Sequence, residues 1–164
     1  MNGLFSKLKN KKSQQFLKNR EHRWFYDSPA VLETFSQLYS TTKDYKKIKS
    51  ILEKIVFVQS NGQYACAVKS DVNIIIIFPE LIFIMKNGQK EQAVAVLLHE
   101  IGHIALEHQK KGTPNQQAQV EADFFAAELG YGKYLFEFLK NQRRNPQIET
   151  RLTALSRVLN TPNN

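Results

Sequence analysis

Between Lys90 and Lys110 the chain carries the pattern that leaves it least freedom. Val94, Leu97, Leu98, Ile101, Ile104 and Ala105 recur at intervals of three and four residues, the signature of a helix with one buried face. The same stretch contains His99, Glu100 and His103 in the run HEIGHIALEH. Two histidines four apart on a helix lie on the same face, one turn from each other. Whatever fold the chain adopts must therefore bury one side of this helix and still accommodate a paired-imidazole face.

That pair has a chemical reading. Two imidazole nitrogens one turn apart can reach a single zinc ion at about 2.1 Å. Glu100 lies one residue beyond the first ligand, off the axis of the pair, where it can reach a water held on the metal and act as general base. Zinc lowers the pKa of such a water towards about 7 and polarises a substrate carbonyl. The expectation is one Zn2+ per chain and hydrolysis of peptide bonds, with surface histidines in a charged stripe as the plain alternative. Gly102 is expected to allow close backbone approach between the two histidines. His108 follows His103 by five residues, whereas HExxHxxGxxH places its third histidine at six, and Leu106 occupies the glycine position. His108 is therefore expected at the surface or in support, not on the metal. The third donor is sought in QVEADFFAAELGY, where Glu121 and Asp123 flank Phe124, Phe125, Ala126 and Ala127. An acid embedded in an apolar helix calls for a cation.

Composition sets the frame around this motif. The 164 residues suit one domain with a real core, and 42% hydrophobic with 23% charged residues is the balance of a soluble globular chain. The apolar run VNIIIIFPELIFIM, interrupted by Asn73, Pro79 and Glu80, is too short to span a bilayer, and MNGLFSKLKNKKSQQ lacks the features of a secretory signal. Cys66 is the single cysteine, so no internal disulfide can form and a reducing cytoplasm is the expected compartment. The net charge is +8, and seven of the 23 basic residues (Lys7, Lys9, Lys11, Lys12, Lys18, Arg20 and Arg23) lie in the first 23 positions. Residues 1–25 read as a basic arm that keeps the protein solvated. The alternative is weak contact with an anionic membrane surface, for which Leu4, Phe5 and Leu8, extended by Phe16 and Leu17, supply an apolar face. No nucleic-acid-binding motif accompanies the charge, so nucleic acid is not expected as a partner.

Residues 26–160 read as the folded domain. Ser28-Pro29 opens a helix with Val31, Leu32, Phe35 and Leu38 on one face, and a second is predicted over Lys43 to Lys54 with Tyr45, Ile48, Ile51, Leu52 and Ile55 buried. VFVQS, Asn61-Gly62 and QYACAV read as strand, tight turn, strand. Asn73 to Phe78 is a further strand, and Pro79 opens a short helix to Met85. After the helix from Lys90 to Lys110, others are predicted from Gln117 to Leu129, from near Gly132, and from Asn145-Pro146. Helices grouped around a small sheet give an α+β fold.

The stretch from about Val72 to Gly130 resembles the gluzincin peptidases that include HtpX and the CAAX prenyl proteases, especially their small soluble relatives, the minigluzincins. The second motif of that family reads roughly ExxADxFAxxLG, matched here by Ala122, Asp123, Phe125, Ala126, Leu129 and Gly130. HPxxxxR is matched by NPQIETR, with Pro146 and Arg151 in place and Asn145 in the histidine position. The resemblance implies a zincin-like single domain, a zinc-dependent endopeptidase activity and a protein or peptide substrate, which is expected to pair along the strand from Asn73 to Phe78. It also implies that Asp123 supports a ligating histidine and that Arg151 lies near the site, a surface arginine being the alternative. The family's zinc-binding glutamate falls on Gln119 here. Glu121 is preferred as third ligand because an amide is a weak donor to zinc; ligation by Gln119, or a poorly held metal, are the other readings. Tyr131 and Tyr134 are further candidates as oxyanion donors. Two other functions stand beside the peptidase: a catalytically weak or inactive metal-binding regulatory module, and a regulator-cleaving protease similar to ImmA/IrrE.

Overall fold

The computed structural model describes residues 16–60, 65–69 and 73–161. A 3-10 segment, Arg20–Asp27, leads into α1 (Pro29–Thr42) and α2 (Lys46–Leu52). Three strands follow, β1 (Ile55–Gln59), β2 (Ala65–Lys69) and β3 (Asn73–Ile77). The remaining helices are α3 (Pro79–Lys86), α4 (Lys90–Ala105), the short α5 (His108–Lys111), α6 (Asn115–Glu128), α7 (Gly132–Lys140) and α8 (Pro146–Asn160). The fold is α+β, mostly helical with one small sheet.

Helix starts follow local chemistry. Pro29, Pro79 and Pro146 each occupy a first-turn position, where the missing N–H costs nothing and φ is already set. Asn145 caps α8 by accepting a hydrogen bond from the Ile148 N–H at 3.0 Å, so the asparagine in NPQIETR has a structural function of its own.

The sheet corrects one expectation. Its order is β1-β3-β2, so VFVQS and QYACAV are not a hairpin. They flank β3, with β1 parallel and β2 antiparallel to it. The tight turn expected at Asn61-Gly62 lies outside the described residues. NIIII is the most apolar of the three strands, and a strand paired on both edges is the one that best accommodates such a run. The consequence for function is direct: β3 has no open edge on which a peptide could pair.

The core lies between the sheet and α1, α3 and α4, with Phe25, Phe35 and Phe57 fully buried in it and the rings of Phe25 and Phe35 stacked. It begins earlier in the chain than residue 26. Phe16 and Leu17 are buried, and His22 is locked inside, with Nδ1 donating to the Phe16 carbonyl at 2.9 Å and Nε2 accepting from the Phe57 N–H at 3.1 Å. Phe16 and Leu17 therefore belong to the core and are not part of a membrane-facing surface. Leu4, Phe5 and Leu8 lie outside the described residues. Among the described residues no helix is long and apolar enough to cross a membrane.

Two helix boundaries also differ from expectation. The helix predicted from Lys43 to Lys54 shrinks to α2, with Tyr45 49% exposed at its N-cap instead of buried and Ile55 starting β1. The helix predicted to reach Lys110 stops at Ala105, because Glu107 takes a left-handed conformation (φ 59°) and turns the chain. Helix α4 is the centre of the molecule: every residue from Ala93 to His99 is buried, as are Ile101, Gly102 and Ile104. A Cβ on Gly102 would sit 3.2 Å from the Ala122 Cα and the Phe125 Cβ. The glycine therefore serves the close crossing of α4 and α6, not an approach between the two histidines.

Candidate metal centre

Because α4 and α6 cross at Gly102, the second motif is brought directly over the first. His99 donates from Nδ1 to Asp123 Oδ1 at 2.7 Å. Asp123, with no solvent exposure, is gripped in turn by Arg151, whose Nε and Nη2 donate to Oδ2 and Oδ1 at 2.8 and 2.6 Å. Burial pushes the Asp123 carboxyl upward, and hydrogen bonds and charge from His99 and Arg151 more than offset it, leaving it below the ordinary value. With its Nδ1 proton committed to Asp123, a neutral His99 presents a bare Nε2.

His103 is held from the other side. Its Nδ1 lies 2.8 Å from His108 Nδ1, and His108 Nε2 lies 3.0 Å from Glu121 Oε2. Glu121 takes a second hydrogen bond from Gln117 Nε2 at 2.7 Å. A carboxylate only accepts, so His108 holds a proton on Nε2, and a neutral His108 offers Nδ1 as an acceptor. Against that ring His103 donates from Nδ1, and its Nε2 is bare as well. Burial, then the nearby His99, His108 and Arg151, lower the His103 pKa to about 3, so the ring is neutral.

The two bare nitrogens face each other: His99 Nε2 and His103 Nε2 are 3.1 Å apart. Gln119 completes the group, its Oε1 3.2 Å from His99 Nε2 and its Nε2 3.3 Å from His103 Nε2. The amide can donate to one ring only, and its oxygen then adds a third acceptor to the cluster. Two bare ring nitrogens and an amide oxygen converging, with only the amide N–H to offer to one of the rings, suit a cation. The spacing is near the roughly 3.4 Å that separates two nitrogens bound at about 2.1 Å to a tetrahedral ion. The residues present therefore fit a zinc ion, with one departure. Among the described residues no group of three His, Cys, Asp or Glu side chains is arranged to hold a metal; the third polar side chain at the two nitrogens is a neutral amide.

Glu121, expected as the third ligand, does not reach this point. Its side chain is 39% exposed and bound to His108. Positions 119 and 121 differ by about 200° around a helix, and the α4–α6 crossing turns position 119 inward. Hydrogen bonds from Gln117 and His108 keep the Glu121 carboxyl low. His108, expected as a surface or supporting residue, is buried against His103; nothing in LEHQKK marks the turn that brings it there. The Tyr131 hydroxyl accepts from Gln37 Nε2 at 2.8 Å and lies 3.1 Å from Thr41 Oγ1, away from the histidines, and Tyr134 is 41% exposed.

Glu100 sits between α4 and the sheet. Burial raises its pKa, while His99, Arg151 and a hydrogen bond with the backbone of Ala67 in β2 pull the other way. Gln109 donates to the Ala67 carbonyl at 3.1 Å. Both polar backbone groups of Ala67 thus turn away from β3 and towards the histidine helix. Sequence reasoning found neither contact, since residues from three elements meet there.

The family model described as Peptidase family M48 matches residues 41–160. The chain belongs to that family of metallopeptidases, and the match spans both motif helices, α7 and α8. Neither the curated proteins nor the solved structures give a match to this chain.

Proposed function

We propose that the protein is a zinc-dependent endopeptidase of the gluzincin kind, related in its motifs to HtpX, the CAAX prenyl proteases and above all the minigluzincins, with a zincin-like domain and one ion per chain. The observation that carries the reading is the pair of bare Nε2 atoms on His99 and His103, 3.1 Å apart, beside a carboxylate whose pKa is raised by burial. In this reading His99 and His103 hold the ion and Gln119 supplies its amide oxygen. Bound zinc would acidify a water and polarise the scissile carbonyl. Asp123 and Arg151 fix the orientation and tautomer of His99. Glu100 accepts the proton of the attacking water at its carboxylate and passes it to the leaving amine. A raised pKa suits that exchange, because a base nearer neutrality both takes and returns a proton readily.

The substrate in this account is an extended peptide. Among the described residues β2 has a strand neighbour on one side only, and it is the strand that reaches the histidine helix through Ala67. Peptides add to open strand edges through main-chain hydrogen bonds, so β2 replaces β3 as the docking strand; the incoming backbone would take over the groups of Ala67 now held by Glu100 and Gln109. The single cysteine fits a cytoplasmic setting.

A second reading is favoured by one residue. An amide in place of a carboxylate weakens the hold on zinc, as a metal-sensitive regulatory module would have it. Glu100→Gln separates the two. The peptidase reading expects the variant to bind zinc like the wild type and to lose cleavage of an unstructured protein substrate by at least about 100-fold. Equal cleavage by variant and wild type would reject the mechanism.

A further inference from the structure

We propose that His108 and Glu121 act as a positioning arm for His103, matching on one side of the histidine pair what Asp123 does on the other. The inference rests on the zinc reading for its purpose, but the arm itself is defined by contacts within the protein.

The turn at Glu107 is the first observation. Glu107 is the one non-glycine residue with positive φ among those described, a conformation that L residues adopt at a cost and that concentrates where function requires it. On an uninterrupted helix, His108 would lie about 140° around the axis from His103. The left-handed residue ends α4 and folds the chain back, bringing His108 into a buried position with its Nδ1 2.8 Å from His103 Nδ1. The strained turn and the contact have the same beneficiary.

The second observation is the direction of the hydrogen bonds. Glu121 receives from His108 Nε2 at 3.0 Å and from Gln117 at 2.7 Å, so it can only draw the His108 proton towards itself. In a neutral His108 the Nδ1 is then an acceptor, and a neutral His103 meets it with its own proton on Nδ1. That leaves Nε2 free for the ion and holds the ring in place. The arms differ in construction. His99 leans directly on a buried carboxylate neutralised by Arg151, whereas His103 leans on a part-exposed carboxylate through a second imidazole. Glu121 thus supports the site without entering it.

The test uses metal-free protein labelled with 15N-histidine, together with zinc affinity from competition with a chromogenic chelator. In the wild type the His103 nitrogen shifts should report a proton on Nδ1. His108→Phe keeps a flat ring but offers no acceptor; it should abolish that preference and weaken zinc by about 10- to 100-fold. Glu121→Ala, at a position 39% exposed, should move both readouts the same way by a smaller factor. If zinc weakens while the His103 tautomer stays unchanged, His108 is only packing and the proposal is overturned. Unchanged tautomer and unchanged affinity in Glu121→Ala overturn it as well. If the wild type binds no zinc while the tautomer moves as described, the arm stands and the zinc reading falls.

Discussion

Arg151→Leu removes the one arginine or lysine that, among the described residues, pairs with the fully buried Asp123 carboxylate. Of the three hydrogen bonds that Asp123 accepts, two come from Arg151, at 2.8 and 2.6 Å, and the third from His99 at 2.7 Å. Removing one partner of a buried ion pair costs about 3–5 kcal/mol, mostly because the other charge is left uncompensated. Here His99 keeps its bond and Asp123 can take up a proton, which places the loss towards the lower end, about 3 kcal/mol at neutral pH. For a domain of this size each kcal/mol lowers the melting temperature by about 2–4 °C, so the fall should be about 6–12 °C. The direct assay is the urea midpoint of metal-free wild type and variant at pH 7. The same pair predicts a pH dependence. The folded Asp123 pKa is depressed from 3.8, so its stabilisation is present above that value and is lost as pH falls through the folded pKa. The gap between wild type and variant should therefore narrow below pH 3.8. A loss under about 1 kcal/mol at pH 7, the usual contribution of an exposed ion pair, would mean that Arg151 behaves as a surface residue and the reasoning fails.

Gln119→Glu restores a carboxylate opposite the two bare nitrogens and should tighten zinc by about tenfold or more, roughly 1.4 kcal/mol; chelator competition showing equal or weaker binding would contradict the assignment of Gln119. Gly102→Val drives a branched side chain against backbone and ring atoms already 3.2 Å from a bare Cβ, and should cost about 1–3 kcal/mol in thermal melts. His22 and His103 both have folded pKa values below 6.5, the latter at about 3. Below 6.5 the unfolded chain therefore binds more protons than the folded one. Stability of the metal-free protein should be complete above that pH and fall below it, by up to about 1.4 kcal/mol per pH unit for each group, and urea midpoints that stay level from pH 7.5 to 5 would count against buried neutral rings.

Features decided by neighbouring residues were legible in the sequence. The i, i+4 histidines on an amphipathic helix, the proline-led starts of α1, α3 and α8, and the run of isoleucines in β3 all follow from spacing and backbone chemistry. What could not be read depends on elements far apart in the chain meeting. The order of the strands is decided by which one tolerates two partners, and the Asn61-Gly62 pair suggested a hairpin that β3 displaces. The choice between Gln119 and Glu121 is set by the angle at which α6 crosses α4, which Gly102 permits but its position alone does not give. The turn at Glu107 has no glycine, proline or asparagine to announce it. Its only trace is that His108 comes one residue too early for the extended histidine motif.

The place where a metal binds is the most direct test of the paired histidines. Crystals of the protein grown with zinc and measured at the zinc absorption edge should show one strong anomalous peak per chain, within about 2.1 Å of both His99 Nε2 and His103 Nε2 and next to the Gln119 amide oxygen. A peak held instead by His108 and Glu121, or no peak between the two α4 histidines at saturating zinc, would contradict it.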